Sequence, residues 1–126
     1  MGFDGSGHSV VLSSQEPESA GGVKPTELLM LALASCSAVD LVRILGKQRQ
    51  SVTGLEITVS GEQDPEPPWR FTRMHVIYRV RGRALKEDGV RRAVELSEGK
   101  YCSVAASLRP QVEITHSLEV ADEAGA

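Results

Sequence analysis

Two cysteines, Cys36 and Cys102, are the residues of this chain whose side chains are best suited to chemistry. At 100° per residue, a helix places three charged side chains within about 40° of Cys36. They are Asp40, Arg43 and Lys47. A nearby cation favours the nucleophilic thiolate, whereas burial among apolar side chains opposes it. Cys36 is therefore either a small core residue or a reactive thiol, and Asp40 with Arg43 either assists it or forms a structural ion pair.

Cys102 follows Gly99 and Lys100, where the pattern predicts a helix break and then a short helix. Unpaired N–H groups in the first turn of a helix stabilise an anion, and Lys100 adds a positive charge. Two cysteines in settings that favour the thiolate support a redox pair better than one would, and inert core thiols remain the alternative. They are too few and too far apart in sequence for a disulfide scaffold or a zinc motif, so no metal site and no cofactor are expected.

The composition indicates one domain over residues 1–126, with 40% hydrophobic and 25% charged residues. The net charge of −3 argues against a nucleic-acid partner. No signal peptide is evident, and Glu27, Asp40 and Arg43 interrupt the most apolar stretch. That stretch is therefore expected to be a buried core helix with no membrane partner, in a cytoplasmic protein.

The first half of the chain predicts a hairpin, a loop and a long helix. Glycines precede an apolar run at Val10 to Leu12, which is expected to be the second hairpin strand. Residues 13–25 are rich in loop-forming types and predict a flexible loop. Strong helix formers then extend from Pro25 to about Gln50.

The second half predicts two antiparallel strands, a helix, a short helix that carries Cys102, and a final strand. Alternation around Leu55 to Val59 and over residues 70–83 indicates the first two strands. The helix is expected over residues 85–97, the short helix over 101–108 and the final strand over 112–118. Residues 119–126 are expected to be a frayed tail. The second strand carries arginines on one face, either as a solvated surface or as a phosphate site: Arg73, Arg79, Arg81 and Arg83. Strands grouped apart from helices indicate an α+β fold.

Two blocks around the cysteines resemble the OsmC/Ohr family, most closely its general OsmC-like branch. The first is PTELL from Pro25, leading through Ala-rich helix to Cys36, and the second is KYCSV around Cys102. The resemblance extends over about residues 3–118. It implies an α+β fold in an intertwined homodimer, with N-terminal strands, a central long helix and active sites near the subunit interface.

The resemblance also implies a thiol-dependent peroxidase acting on organic hydroperoxides. Cys36 matches the position of the cysteine that attacks the peroxide, and Cys102 matches the resolving cysteine that forms a disulfide with it. A small dithiol or thiol then reduces this disulfide.

The sequence departs from the peroxidase branches at two positions. Those branches have an N-terminal Arg, and a Glu directly after the helix proline, whereas here no Arg precedes Arg43 and Glu27 comes one residue late. The candidates for residues that assist the two cysteines are Arg43, Asp40 and Glu27. The alternative function is an OsmC-like stress-response or small-ligand binding protein with little or no peroxidase activity.

Overall fold

The computed structural model describes residues 1–13, 16 and 21–123, which form an α+β fold. A short π-helical turn at Ser97–Tyr101 links the second and third helices. The other elements, in chain order, are β1 (Gly2–Phe3), β2 (Ser9–Val10), α1 (Pro25–Lys47), β3 (Ser51–Gln63), β4 (Phe71–Arg83), α2 (Glu87–Leu96), α3 (Ser103–Leu108) and β5 (Glu113–Asp122). The predicted fold class and order of elements are confirmed.

The N-terminal strands pair as an antiparallel hairpin, but the second one is shorter than expected. Leu12 lies outside β2 and bridges Val23 in parallel instead. Six of the thirteen residues of the predicted loop over 13–25 (residues 14, 15 and 17–20) lie outside the described residues. Its two described ends are held together, because the Val23 N–H donates to the Val11 carbonyl.

Helix α1 begins at Pro25, as predicted, and ends three residues before Gln50. Proline suits the first helical turn because its missing N–H would have no partner there. The helix ends because Arg49 has a φ of 58°, the left-handed conformation that often follows a helix. Gly46 lies within the last turn of α1, and no Pro or Gly follows Gln48 before Gly54, so the sequence did not mark the residue at which the helix ends.

A three-stranded sheet packs against α1, with β4 in the middle. Strand β4 pairs antiparallel with β3, as predicted, and parallel with β5. The parallel pairing follows from the connection, since α2, the π-turn and α3 carry the chain back to the start of the sheet. Residues 119–122 continue the pairing as far as Asp122 opposite Gly82, so they are strand rather than frayed tail. Residues 124–126 lie outside the described residues.

The inner face of β4 is buried against the helices, as its alternation predicts. Its buried apolar side chains are Met74, Val76, Tyr78 and Val80. On the outer face, Arg73 contacts Glu113 and Arg79 contacts both Glu56 and Glu119. These two arginines are thus engaged by acids of the neighbouring strands, which favours the solvated surface over a phosphate site.

Helix α1 has three distinct faces. One is buried on β3 and α2, through Met30, Leu33, Ser37, Leu41 and Leu45. A second carries Cys36. The third is apolar and exposed in the single chain, with Leu31, Val39 and Val42 within about 80° of one another.

Because of this exposed face, α1 is not the fully buried core helix that the sequence predicts. Only 22% of the most apolar window of α1 is buried within the chain. The window has a mean hydropathy of 2.0, so the charged residues do not shorten it as expected, and by length and composition the helix could cross a membrane. The core helix of a soluble protein meets the same criterion, and α1 packs against β3, α2 and α3.

Candidate active site

Cys36 lies in the middle of α1, facing the start of α3. Its half-buried Sγ is 3.8 Å from the hydroxyl oxygen of Ser103. Because Ser103 is the first residue of α3, the thiol faces a helix N-terminus, where backbone N–H groups have no partners within the helix. The first turn of α3 therefore provides the environment that stabilises a thiolate.

Cys102 is the N-cap of α3 rather than a residue within its first turn. Its Sγ accepts a hydrogen bond from the Ala105 N–H at 3.4 Å, in the way that a serine or aspartate oxygen does at other helix starts. Its own N–H donates to the Ser97 carbonyl at 2.7 Å. Cys102 is 2% exposed, so its sulfur is shielded from solvent.

The fold brings both cysteines and Asp40 together. The two Sγ atoms and a carboxylate oxygen of Asp40 all lie within 4.8 Å of one another. Both cysteines are free thiols in the structure. Since a disulfide needs the sulfurs about 2.05 Å apart, small side-chain rotations rather than a change of fold separate the reduced pair from a disulfide.

The two thiols differ in acidity. Burial opposes ionisation of Cys36, but the Val104 N–H, the Cys102 thiol and Ser103 outweigh it and lower the pKa of Cys36 below its ordinary value. Burial raises the pKa of Cys102, and the neighbouring Cys36 raises it further. Cys36 therefore ionises first, while Cys102 keeps its proton and donates a hydrogen bond to the thiolate.

A cleft of about 240 Å³ lies beside the cysteines, on the same stripe of α1. Its lining residues are Asp40, Arg43, Ile44, Lys47, Leu96 and Tyr101. Arg43 faces the cleft one turn beyond Asp40, whereas Lys47 lies at its far end, about 16 Å along the helix axis from Cys36. In the described part of the chain, neither cation forms an ion pair with Asp40.

Asp40 is the most unusual of the charged residues at this site. Its Oδ2 atom is buried and has no hydrogen-bond partner among the described residues. A carboxylate oxygen removed from water without a partner is costly. Together with Cys36 and Cys102, Asp40 forms a set of donors of the types that bind metal ions.

Glu27 is not brought to this cluster within the single chain. It lies exposed in the first turn of α1, nine positions before Cys36. At 1.5 Å per residue, the two residues are separated by about 13 Å along the helix axis.

A buried polar network lies near Cys102, and the sequence did not predict it. Glu98 is 6% exposed and accepts a hydrogen bond from the Tyr78 hydroxyl at 2.9 Å. Its other carboxylate oxygen lies 2.6 Å from Nδ1 of His116. The strand alternation places Tyr78 on the buried face, but no signal in the sequence indicates that Glu98, in an irregular turn, is buried.

The fold and the site define an α+β protein in which a long helix and a helix N-cap bring two unequal thiols together. The family model described as OsmC-like protein matches residues 17–117. The chain belongs to this family.

Two relatives are similar over nearly the whole chain. Protein YhfA of Escherichia coli K12 is 42% identical over 120 residues, which cover 95% of this chain and 88% of YhfA. A hypothetical protein from Aquifex aeolicus VF5, known from its crystal structure, is 34% identical with a TM-score of 0.78. The match covers 83% of this chain and 79% of the Aquifex chain.

A second solved structure is more distant. It is the organic hydroperoxide resistance protein OhrB of Bacillus subtilis, 21% identical with a TM-score of 0.58. The match covers 82% of this chain and 78% of OhrB. At this level of identity, the similarity establishes the common fold alone.

Proposed function

We propose that the chain is a cytoplasmic thiol peroxidase that reduces organic hydroperoxides through Cys36 and Cys102. The observation that carries the proposal is the pair of sulfurs within 4.8 Å of each other, one with a lowered and one with a raised pKa. A peroxidase of this type needs one thiolate to attack and a second thiol to trap the product before further oxidation. The family membership and the fold shared with OhrB support the assignment.

The first step is the attack of the Cys36 thiolate on the hydroperoxide. The sulfur forms a bond to one oxygen, the O–O bond breaks, and the alkoxide takes up a proton and leaves as an alcohol. Cys36 is thereby oxidised to a sulfenic acid. Arg43, which lines the adjacent cleft one turn beyond Asp40, would stabilise the negative charge that moves onto the leaving oxygen.

The second step joins the two sulfurs. The Cys102 sulfur attacks the Cys36 sulfur, the S–O bond breaks, and the leaving hydroxide takes the Cys102 proton and departs as water. A small dithiol or thiol then reduces the disulfide by exchange and restores both thiols.

The exposed apolar face of α1 supports a homodimer as the working form. Leu31, Val39 and Val42 are 52%, 60% and 57% exposed in the single chain. Apolar patches of this kind on a long helix usually mark an interface between proteins. This face borders the stripe that carries Cys36, so a second copy packed there would lie next to the active site.

Peroxide consumption tests the proposal directly. With cumene hydroperoxide and dithiothreitol, the wild type should consume peroxide, and Cys36→Ser should not. Mass spectrometry after one equivalent of peroxide should show a Cys36 to Cys102 linkage. Cys102→Ser serves as the matched variant, since it should still form a sulfenic acid at Cys36 that dimedone traps. Equal consumption by wild type and Cys36→Ser would exclude the proposal.

A second candidate is a small-ligand binding protein without peroxidase activity. The absence of any Arg before Arg43 favours it, because the peroxidase branches rely on such a residue. The cleft beside Tyr101 and Leu96 would then be the ligand site. In this case, one equivalent of peroxide leaves both cysteines unlinked.

A further inference from the structure

We propose that the reduced pair Cys36 and Cys102, together with Asp40, binds a thiophilic divalent cation such as Zn²⁺. Their three donor atoms lie within 4.8 Å of one another. Around a tetrahedral zinc ion, sulfur and oxygen ligands are separated by about 3.6–3.8 Å, from Zn–S bonds near 2.3 Å and Zn–O bonds near 2.1 Å. Side-chain movements of about 1 Å therefore convert the observed arrangement into a coordination site.

Asp40 provides a second, independent observation. Its buried Oδ2 has no hydrogen-bond partner among the residues that the structure describes. Burying a carboxylate oxygen without a partner is costly, and coordination to a cation offsets that cost. Arg43 and Lys47 line the same cleft, and neither forms an ion pair with Asp40 in the described part of the chain, so a metal ion held by the carboxylate would supply the missing positive charge.

The donor set selects the class of metal. Two thiolates and one carboxylate favour Zn²⁺ or Cd²⁺, whereas Mg²⁺ and Ca²⁺ prefer oxygen ligands alone. Binding displaces the thiol protons, so the affinity rises with pH. Three protein ligands leave a fourth position for water. The spacing rules for zinc motifs miss this site, because its ligands come from two elements that are distant in sequence.

Metal binding and oxidation exclude each other at this site. When the two thiolates give their electrons to a hydroperoxide, which takes up two protons and leaves as alcohol and water, both sulfurs enter the disulfide. Only Asp40 then remains as a ligand, and the metal ion is released into solution. This coupling rests on the proposed peroxidase function, whereas metal binding itself does not.

Cobalt(II) serves as the spectroscopic probe. Reduced wild-type protein titrated without oxygen should show the visible bands of tetrahedral Co²⁺ and a thiolate-to-cobalt charge-transfer band, saturating at one ion per chain and displaced by Zn²⁺. Asp40→Asn should weaken binding by about tenfold or more. Asp88→Asn, at an exposed acid in α2, is the matched control and should bind as the wild type does.

The cysteine variants and the oxidised protein complete the experiment. Cys36→Ser and Cys102→Ser should each weaken the charge-transfer band, and protein oxidised with diamide should lose it. No tetrahedral spectrum with the wild type, or equal affinities for Asp40→Asn and Asp88→Asn, would overturn the metal site.

The metal site and the peroxidase function fail separately. Peroxide consumption is measured with a chelator present, and cobalt binding is measured without peroxide. Protein that binds cobalt but consumes no peroxide retains the site and excludes the proposed function. Protein that consumes peroxide but gives no tetrahedral spectrum retains the proposed function and excludes the metal site.

Discussion

Ser37, the residue after Cys36 in α1, donates its hydroxyl hydrogen to the Sγ of Cys102 across 3.7 Å. Its own carbonyl accepts a hydrogen bond from the Ser97 hydroxyl at 3.2 Å. Consecutive residues of a helix point about 100° apart. Cys36 therefore faces the start of α3, while the neighbouring Ser37 holds Cys102 in place by a hydrogen bond. The position of Cys102 is thus fixed by the helix that carries Cys36.

Ser37→Ala should slow disulfide formation without slowing the first oxidation. The lost hydrogen bond lowers the pKa of Cys102 in the wild type, although burial raises it overall. A contribution of about 1 kcal/mol corresponds to an effect of about fivefold on the rate. Dimedone trapping measures the lifetime of the Cys36 sulfenic acid. Ser35→Ala, on the other side of Cys36, is the control, and equal lifetimes in both variants would contradict this role.

Tyr78→Phe should destabilise the fold. The change leaves a buried oxygen of Glu98 without its hydroxyl donor. The free energy of unfolding should fall by about 1.5–3 kcal/mol, as for hydrogen bonds to charged groups. Tyr101→Phe is the matched control, because Tyr101 is 51% exposed and the same change should cost less than about 0.5 kcal/mol. Urea denaturation measures both, and similar midpoints for the two variants would show that the network contributes little.

The two cysteines should titrate in a fixed order. Reaction with iodoacetamide follows the thiolate fraction, which rises with pH. Burial opposes ionisation of Cys36, but its hydrogen bonds outweigh burial and lower its pKa, so its rate should reach half of the maximum below pH 9.0, the ordinary value for a thiol. Burial raises the pKa of Cys102, so its rate of reaction should reach half of the maximum above pH 9.0. Peptide mass spectrometry separates the two sites, and the reverse order would refute the assignment of roles.

Arg43→Met should slow the attack on peroxide. We expect the second-order rate constant with cumene hydroperoxide to fall by about fivefold, as for the loss of a partly exposed charge interaction of about 1 kcal/mol. Arg91→Met, on the exposed face of α2, is the control and should react as the wild type does. If both variants react at the wild-type rate, Arg43 does not replace the missing N-terminal arginine.

Charges on the exposed face of α1 should dissociate the proposed homodimer. Val39→Glu combined with Val42→Glu would place carboxylates in an apolar interface, at a cost of several kcal/mol. The corresponding double threonine variant keeps the size of the side chains without the charge and should dissociate much less. Sedimentation velocity distinguishes the two forms, and a wild type that sediments as a monomer would exclude the dimer.

Periodicity and local residue types determined most of the secondary structure. Strong helix formers after Pro25 predict α1, and alternation through Met74 to Val80 predicts the buried face of β4. Hydrophobic burial at helical or strand spacing is a local signal, and a single sequence carries it. The two cysteines were likewise identified by residue type, with Asp40 and Arg43 on the stripe of Cys36.

Only the tertiary structure decided how these parts meet. The parallel pairing of β5 with β4 returns the chain so that Cys102, as the N-cap of α3, lies against the middle of α1. The difference in acidity between the thiols depends on burial and on N–H groups from a distant element, which no local pattern encodes. The burial of Glu98 also arises from contacts between segments that are far apart in sequence, as does the burial of the Asp40 Oδ2 atom, which has no hydrogen-bond partner in the part of the chain that the structure describes.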